Sequence, residues 1–113
     1  MHELSLCQQL CDQLLDLARQ EGAHCVHQVE LEIGVLCCVE PEALRFCFEA
    51  MAKSGPLAAT RLRVSRAVAQ AECQACGCQY EVKDWLSVCP GCGQRWRHLA
   101  GGDAILIKAV EVS

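Results

Sequence analysis

Hydrophobic residues at helical spacing predict two amphipathic helices in this chain. Between residue 4 and about residue 21, apolar side chains recur every three or four positions, which places them on one face of a helix. The predicted inward face comprises Leu4, Cys7, Leu10, Cys11, Leu14, Leu15 and Ala18. Gly22 is suited to end this helix. A second helix is predicted to begin at Glu40-Pro41-Glu42, because proline and a carboxylate are both favoured in the first turn. Its predicted buried face comprises Leu44, Cys47, Phe48 and Met51.

Three further segments alternate apolar and polar residues with a period of two, which predicts strands with one buried face. The first runs from about residue 25 to residue 38 and the second from residue 60 to residue 70. In the second, Leu62, Val64 and Val68 are predicted to share the buried face. The third runs from residue 104 to residue 112, after the turn at Gly101-Gly102-Asp103.

Two Cys-x-x-Cys-Gly turns carry the strongest chemical signal in the sequence. Cys73 and Cys76 belong to the first turn, Cys89 and Cys92 belong to the second, and twelve residues lie between the two pairs. This spacing lets four thiolates converge on one ion in a tetrahedral site, and zinc is the usual occupant, although the same ligands can hold iron. Two disulfides or redox dithiols are the alternative, which an oxidising compartment would favour.

The order of elements predicts an α+β fold. Two helices pack on a three-stranded sheet, and a four-cysteine zinc-ribbon module is inserted before the last strand. We therefore expect residues 1–70 together with 99–113 to form one domain and residues 71–98 to form a zinc-binding domain. Fewer than thirty residues cannot bury enough apolar surface unaided, so zinc is expected to stabilise the insert.

Charge and composition argue against several partners. The 113 residues carry 10 basic and 14 acidic side chains, a net charge of −4, so no clustered positive field is available for nucleic acid. Basic and acidic residues balance within the insert: Lys83, Arg95 and Arg97 against Glu72, Glu81 and Asp84. The amino terminus lacks a signal peptide, and no stretch reaches the length of a membrane span, so we expect a cytoplasmic protein without a membrane partner.

Seven cysteines lie outside the quartet. They are Cys7, Cys11, Cys25, Cys37, Cys38, Cys47 and Cys78. Free cysteine in a reducing compartment behaves as a small hydrophobe, so most are predicted to pack in the core. Cys78 is different, because it places a fifth thiol beside Cys76, where it could exchange with a metal ligand.

The amino terminus, Met1-His2-Glu3, offers a second metal site. The first four N–H groups of a helix lack intrahelical acceptors, so the first amides can be deprotonated without breaking a helical hydrogen bond. An α-amine, amidate nitrogens and the His2 imidazole form a planar nitrogen set that favours Ni(II) or Cu(II) over zinc. Binding should weaken as pH falls, because His2 must be neutral to act as a ligand. Alternatively, these residues simply precede and cap the helix.

The conjunction of several short motifs resembles the HypA/HybF family of hydrogenase nickel metallochaperones. The resemblance covers essentially the whole chain and rests on Met1-His2-Glu3-Leu4-Ser5, Leu31-Glu32-Ile33-Gly34, Glu40-Pro41-Glu42-Ala43-Leu44, Phe46-Cys47-Phe48-Glu49, the two Cys-x-x-Cys turns and Gly102-Asp103. Departures from the family pattern are Cys37, Cys38, Cys78 and the segment 55–59.

The resemblance implies a nickel chaperone rather than an enzyme. Nickel, as cargo, would bind at His2 with the Met1 and Glu3 backbone, and structural zinc would bind at Cys73, Cys76, Cys89 and Cys92. The resemblance also implies two partners, an accessory GTPase of nickel insertion and the precursor of a [NiFe]-hydrogenase large subunit. Whether the chain is a monomer or a homodimer stays open, as does whether it also supplies nickel to urease.

Two other functions compete with this interpretation. One is a zinc-ribbon interaction module without metal transport, and the other is a thiol oxidoreductase that uses a Cys-x-x-Cys pair. His98, just beyond the second turn, is predicted to be an exposed polar residue, with exchange at the zinc site as the alternative.

Overall fold

The described residues form two α-helices and two three-stranded sheets. A computed structural model describes residues 3–113. The elements in chain order are α1 (Glu3–Gln20), β1 (Val26–Gly34), α2 (Pro41–Met51), a 3-10 turn (Gly55–Leu57), β2 (Arg61–Ala67), β3 (Ala69–Cys73), β4 (Gln79–Val82), β5 (Arg97–Ala100) and β6 (Ile105–Val112). One sheet has the strand order β2-β1-β6 and the other has the order β4-β3-β5. The predicted α+β class with a cysteine module is therefore confirmed. Within residues 3–113, no helix is both long and apolar enough to cross a membrane.

The chain divides into two compact units. The helical unit contains the described residues up to Leu31, together with Val39–Ser65 and Ile107–Ser113. The cysteine unit contains Glu32–Cys38 and Arg66–Leu106.

The core of the helical unit forms where α1 and α2 pack together. The buried face of α1 includes five of the predicted residues and one that was not predicted, Leu6. The five are Cys7, Leu10, Cys11, Leu14 and Ala18, and the predicted Leu15 is partly buried. Leu44 and Phe48 are the buried residues of α2. Cys7 and Cys11 thus occupy core positions, as predicted from their spacing.

Two residues predicted to face this core are exposed instead. Leu4 is 51% exposed and Met51 is 40% exposed. Met51 turns outward because the buried stripe of α2 follows a spacing of four, from Leu44 through Phe48 to Ala52, and Ala52 is buried just beyond the end of the helix. The prediction of Met51 and Leu4 as core residues was wrong.

The cysteine unit is built around β3, which pairs antiparallel with both β4 and β5. Ala71 is the register partner of Tyr80 on one side and of Leu99 on the other. Its core comprises Leu36, Ala69, Ala71, Cys73, Tyr80, Val82 and Cys89. Two of these residues are cysteines of the quartet, so the metal centre is continuous with the apolar core of this unit.

The single strand predicted over residues 60–70 is wrong, because the segment contains two strands in different sheets. The first ends at Ala67 and the second begins at Ala69. The residue between them, Val68, is 38% exposed rather than buried. At this point the Ala67 carbonyl accepts a hydrogen bond from the Val35 N–H at 2.8 Å. Buried and exposed residues then alternate along β3, which belongs to the second sheet.

The predicted first strand is also too long, because β1 ends at Gly34. The chain turns after Gly34, where the Cys37 N–H donates to the Gly34 carbonyl at 3.0 Å. Among residues 3–113, Cys38 is the one non-glycine residue with a positive φ, which is 55°. Extended backbone cannot continue through such a residue.

Candidate metal centre

The first cysteine turn begins at the end of β3. The Cys73 N–H donates to the Cys78 carbonyl at 2.9 Å, and the Gly77 N–H donates to the Cys73 carbonyl at 2.9 Å. Gly77 has φ of 76°, a left-handed conformation that glycine adopts without a Cβ clash. These two hydrogen bonds close the turn and hold Cys73 and Cys76 on one side of it.

The second turn repeats this geometry. The Cys89 N–H donates to the Gln94 carbonyl at 3.0 Å, the Gly93 N–H donates to the Cys89 carbonyl at 2.8 Å, and Gly93 again has φ of 76°. The Gly91 N–H donates to the Cys89 sulfur at 3.3 Å. An N–H directed at sulfur stabilises a thiolate, which is the form that binds metal.

The four sulfurs converge on a single point. The Sγ atoms of Cys73 and Cys92 are 3.5 Å apart, and those of Cys76 and Cys89 are also 3.5 Å apart. All four sulfurs lie within 4.8 Å of one another. A tetrahedral zinc with Zn–S bonds of about 2.3 Å would separate neighbouring sulfurs by about 3.8 Å. The thiol set therefore fits a tetrahedral zinc ion by both chemistry and spacing.

The local environment favours ionisation of Cys89. Burial raises the pKa of this thiol, but hydrogen bonds from the backbone of Cys92 and Gly91 and from the side chains of Cys76 and Cys73 outweigh burial and lower the pKa to about 6. Cys89 is nevertheless almost completely buried. A buried thiolate is a suitable metal ligand, whereas a disulfide substrate could not reach it.

In the first turn, the surroundings lower the pKa of one thiol and raise the pKa of the other. A backbone hydrogen bond from Cys76 lowers the pKa of Cys73 against the effect of burial. For Cys76, a backbone hydrogen bond from Cys78 lowers the pKa, but hydrogen bonds with Cys89 and Cys73 together with burial raise it to about 12. A metal ion at this centre would have to displace protons from the less acidic thiols, so its affinity should increase with pH.

Arg97 orders the loop that leads into the second turn, a role that sequence reasoning missed. Its guanidinium donates to the Ser87 carbonyl, to the Trp85 carbonyl at 3.4 Å and to the Tyr80 hydroxyl at 3.5 Å. The Trp85 indole N–H in turn donates to the Leu36 carbonyl at 3.1 Å. In the sequence, Arg97 was counted only as one charge in a balanced set, because no local pattern links it to carbonyls ten or more residues away.

Cys78 and His98 do not belong to the group of convergent ligands. Among the described residues, the group whose ligand atoms lie within 4.8 Å of one another contains the four predicted cysteines and no other side chain. Cys78 is half-buried, and burial followed by the charge of Cys89 raises its pKa. His98 is exposed on β5, opposite Glu72.

The predicted nickel site falls mostly outside the described residues. Met1 and His2 lie before residue 3, so their placement at a nickel ion stays a prediction. Glu3 is the first residue of α1 and is partly buried.

The geometry defines a class of protein, a small α+β protein with a four-cysteine metal centre. The family model that matches residues 1–112 is described as hydrogenase/urease nickel incorporation, metallochaperone, HypA. A hydrogenase maturation factor HypA of Acidithiobacillus ferrooxidans is 39% identical over 112 residues, which are 99% of each chain. The factor of the same name from Rhizobium leguminosarum bv. viciae is 34% identical with the same coverage.

This chain belongs to the HypA family, since the family match spans nearly its full length. The solution structure of the Ni metallochaperone HypA from Helicobacter pylori aligns with a TM-score of 0.69 over 99% of this chain and 97% of that chain. Sequence identity to that structure is 19%, so the likeness shows the shared fold. The family resemblance inferred from the sequence motifs is thereby confirmed.

Proposed function

We propose that this chain is a nickel metallochaperone that binds Ni(II) at its amino terminus and delivers it to the precursor of a [NiFe]-hydrogenase large subunit. The family match carries this proposal, because it includes residues 1–3 as well as both cysteine turns. Relatives across its whole length are named hydrogenase maturation factors.

The start of α1 supports a nickel site at this end of the chain. In a helix that begins at Glu3, the N–H groups of the first turn have no intrahelical acceptor. Amides at this position can therefore become amidate ligands beside the α-amine of Met1 and the imidazole of His2. The helix dipole disfavours a cation here by about 0.5 to 1 kcal/mol, and the negative charge of Glu3 and the amidates offsets this cost.

Zinc at the cysteine quartet would be structural and distinct from the cargo. Four protein thiolates complete a tetrahedral shell and leave no open position for an exchangeable ligand. Bound zinc would fix both cysteine turns relative to β3, where Cys73 ends the strand. The quartet thus suits stabilisation of the cysteine unit, and nickel would bind elsewhere.

The proposal requires partners but no catalytic step. An accessory GTPase of nickel insertion and the hydrogenase precursor would act with the chain in the cytoplasm, either as monomer or as homodimer. The acidic balance of the sequence, with a net charge of −4, does not favour nucleic acid.

Calorimetric titration of untagged, zinc-loaded protein with Ni(II) tests the amino-terminal site. For His2→Ala we expect nickel affinity to fall by at least about tenfold, or 1.4 kcal/mol, because one nitrogen ligand is lost. Blocking the α-amine should weaken binding in the same way. Affinity should also decrease as the pH falls below about 6.5, where an ordinary histidine becomes protonated.

His24→Ala is the matched control, because His24 is an exposed histidine of the same unit. It should bind nickel as the unchanged protein does. Equal affinity and stoichiometry for His2→Ala and the unchanged protein would refute the amino-terminal site.

A second candidate function is partner binding without metal transport. Exposed apolar side chains of the cysteine unit, which include Trp85, Leu86 and Trp96, favour it because such residues commonly mark interaction surfaces. The two functions differ in their dependence on His2. If His2→Ala abolishes hydrogenase maturation while zinc content and partner binding stay unchanged, transport is required.

A further inference from the structure

A second group of thiols lies in the helical unit, outside the metal centre. Cys7 is fully buried on α1, and its thiol donates to the Leu44 carbonyl of α2 at 3.3 Å. The Cys7 sulfur therefore reaches across the interface between the two helices.

Cys47 follows Leu44 by three residues on α2 and is half-buried. In an α-helix, the carbonyl of residue i lies beside the side chain of residue i+3, which is why hydroxyl side chains often bond to carbonyls three or four residues earlier. A sulfur that rests on the Leu44 carbonyl is thus adjacent to the Cys47 side chain.

The electrostatics of Cys7 agree with this proximity. Burial is the largest cause that raises the pKa of Cys7, to about 12, and the charge and hydrogen bond of Cys47 add to it, as do the charges of Cys11 and Glu3. Cys7 is consequently a protonated thiol at neutral pH, with Cys47 as its interacting neighbour.

Cys11 is also close to Cys7 but has the wrong geometry for a disulfide. The two residues are separated by four positions on one helix, where Cβ atoms are about 5 to 6 Å apart. A disulfide needs Cβ atoms about 3.5 to 4.5 Å apart. An intact α1 therefore cannot join these two cysteines, whereas side chains from facing helices can meet at that distance.

We propose that Cys7 and Cys47 form an oxidation site, where a reversible disulfide joins α1 to α2. The oxidant is a small disulfide such as oxidised glutathione. The half-buried Cys47 reacts first: its thiolate attacks one glutathione sulfur, the S–S bond breaks, and one glutathione leaves with the proton that Cys47 gave up. A mixed disulfide remains on Cys47.

Cys7 then resolves the mixed disulfide. Its sulfur attacks the Cys47 sulfur and displaces the second glutathione, which takes up the Cys7 proton. Two protein thiols are oxidised, and one oxidised glutathione is reduced to two thiols. The Cys47 sulfur is uncharged once it is in the mixed disulfide, so it no longer opposes ionisation of Cys7 at this step.

The disulfide would close a loop of about 40 residues. Such a crosslink stabilises a protein mainly by constraining the unfolded chain. It would form whether or not the amino terminus binds nickel, so its formation and nickel binding are separately measurable.

The test uses untagged, zinc-loaded protein equilibrated with mixtures of oxidised and reduced glutathione. After alkylation and proteolysis, mass spectrometry should identify a peptide in which Cys7 is joined to Cys47, and dithiothreitol should reverse the link. The oxidised protein should melt higher by at least about 10 °C. Zinc content measured in parallel should stay constant, because bound zinc protects the quartet.

Matched variants test whether Cys47 is the disulfide partner of Cys7. Cys47→Ser should abolish both the linked peptide and the rise in melting temperature, whereas Cys11→Ser and Cys25→Ser should retain both. The proposal is overturned if Cys7 stays reduced while Cys47 carries glutathione. It is equally overturned if the rise in melting temperature persists in Cys47→Ser.

Discussion

At the residue scale, two glycines of the cysteine unit decide how closely its backbone segments approach. The Gly34 N–H donates to the Ala104 carbonyl at 2.9 Å, and the Leu36 N–H donates to the Gly102 carbonyl at 2.8 Å. A Cβ added at Gly34 would lie 2.1 Å from the Gly102 carbonyl oxygen. Both glycines occur in the sequence motifs that indicated the family, but the sequence alone does not reveal that they touch.

Gly34→Ala should therefore destabilise the cysteine unit severely. Because the clash is with backbone rather than with a flexible side chain, we expect a loss of at least about 3 kcal/mol in the free energy of unfolding. Urea unfolding of the zinc-loaded protein, followed by tryptophan fluorescence, measures this loss.

Gly101→Ala is the control for that variant. Gly101 has φ of 78°, but the nearest atom to an added Cβ is the Val68 carbonyl oxygen, at 3.9 Å. We therefore expect Gly101→Ala to lower the free energy of unfolding by only about 1 to 2 kcal/mol, through backbone strain. If the two variants lose the same free energy of unfolding, the close approach of Gly34 to Gly102 does not contribute to stability as predicted.

At the element scale, the two helices were predictable, whereas the strands of the second sheet were not. The predicted and observed ends of α1 and α2 agree within about two residues, because long amphipathic periodicity and the Glu40-Pro41 start are local signals. β4 and β5 have four residues each and pair with β3 across the cysteine turns. Their formation depends on distant pairing partners, which sequence periodicity does not report.

The start of α2 offers a stabilising substitution. Glu40 is the N-cap residue with extended φ and ψ, but its side chain makes no capping hydrogen bond. Serine at this position can accept a hydrogen bond from an N–H of the first turn. We expect Glu40→Ser to raise the free energy of unfolding by about 0.5 to 1 kcal/mol, measured by urea unfolding followed by circular dichroism at 222 nm.

Glu40→Ala serves as its control, since it removes the same carboxylate without supplying a cap. A gain of equal size in Glu40→Ala would assign the effect to lost charge rather than to capping.

At the scale of the whole molecule, the two compact units differ in what stabilises them. The helical unit contains both α-helices of the described chain and a large share of the buried aliphatic side chains. The core of the cysteine unit is small and contains Cys73 and Cys89. Metal binding is therefore expected to contribute more to folding of the cysteine unit than to folding of the helical unit.

Removal of zinc should unfold the cysteine unit and leave the helical unit folded. A strong chelator with reductant should collapse the two indole N–H resonances, because Trp85 and Trp96 both belong to the cysteine unit. Circular dichroism at 222 nm, which reports α1 and α2, should keep most of its intensity. Structural zinc sites contribute about 10 to 16 kcal/mol in small domains, so the loss should be cooperative.

Two outcomes would contradict this prediction. If the helical signal disappears together with the indole resonances, the units do not unfold separately. If the indole resonances survive full removal of zinc, the apolar core alone suffices to fold the cysteine unit. Re-addition of zinc is the control for irreversible oxidation of the quartet.

The sequence by itself determined the helices, the α+β class, the four convergent cysteines and the family. These features depend on periodicity and on short fixed spacings, which act over a few residues. The tertiary structure alone decided that residues 61–73 form two strands in different sheets, that Arg97 orders the loop before Cys89, and that the Cys7 thiol donates to the Leu44 carbonyl of α2. These contacts join residues ten to forty positions apart, and their formation depends on packing and hydrogen bonding that no local pattern encodes.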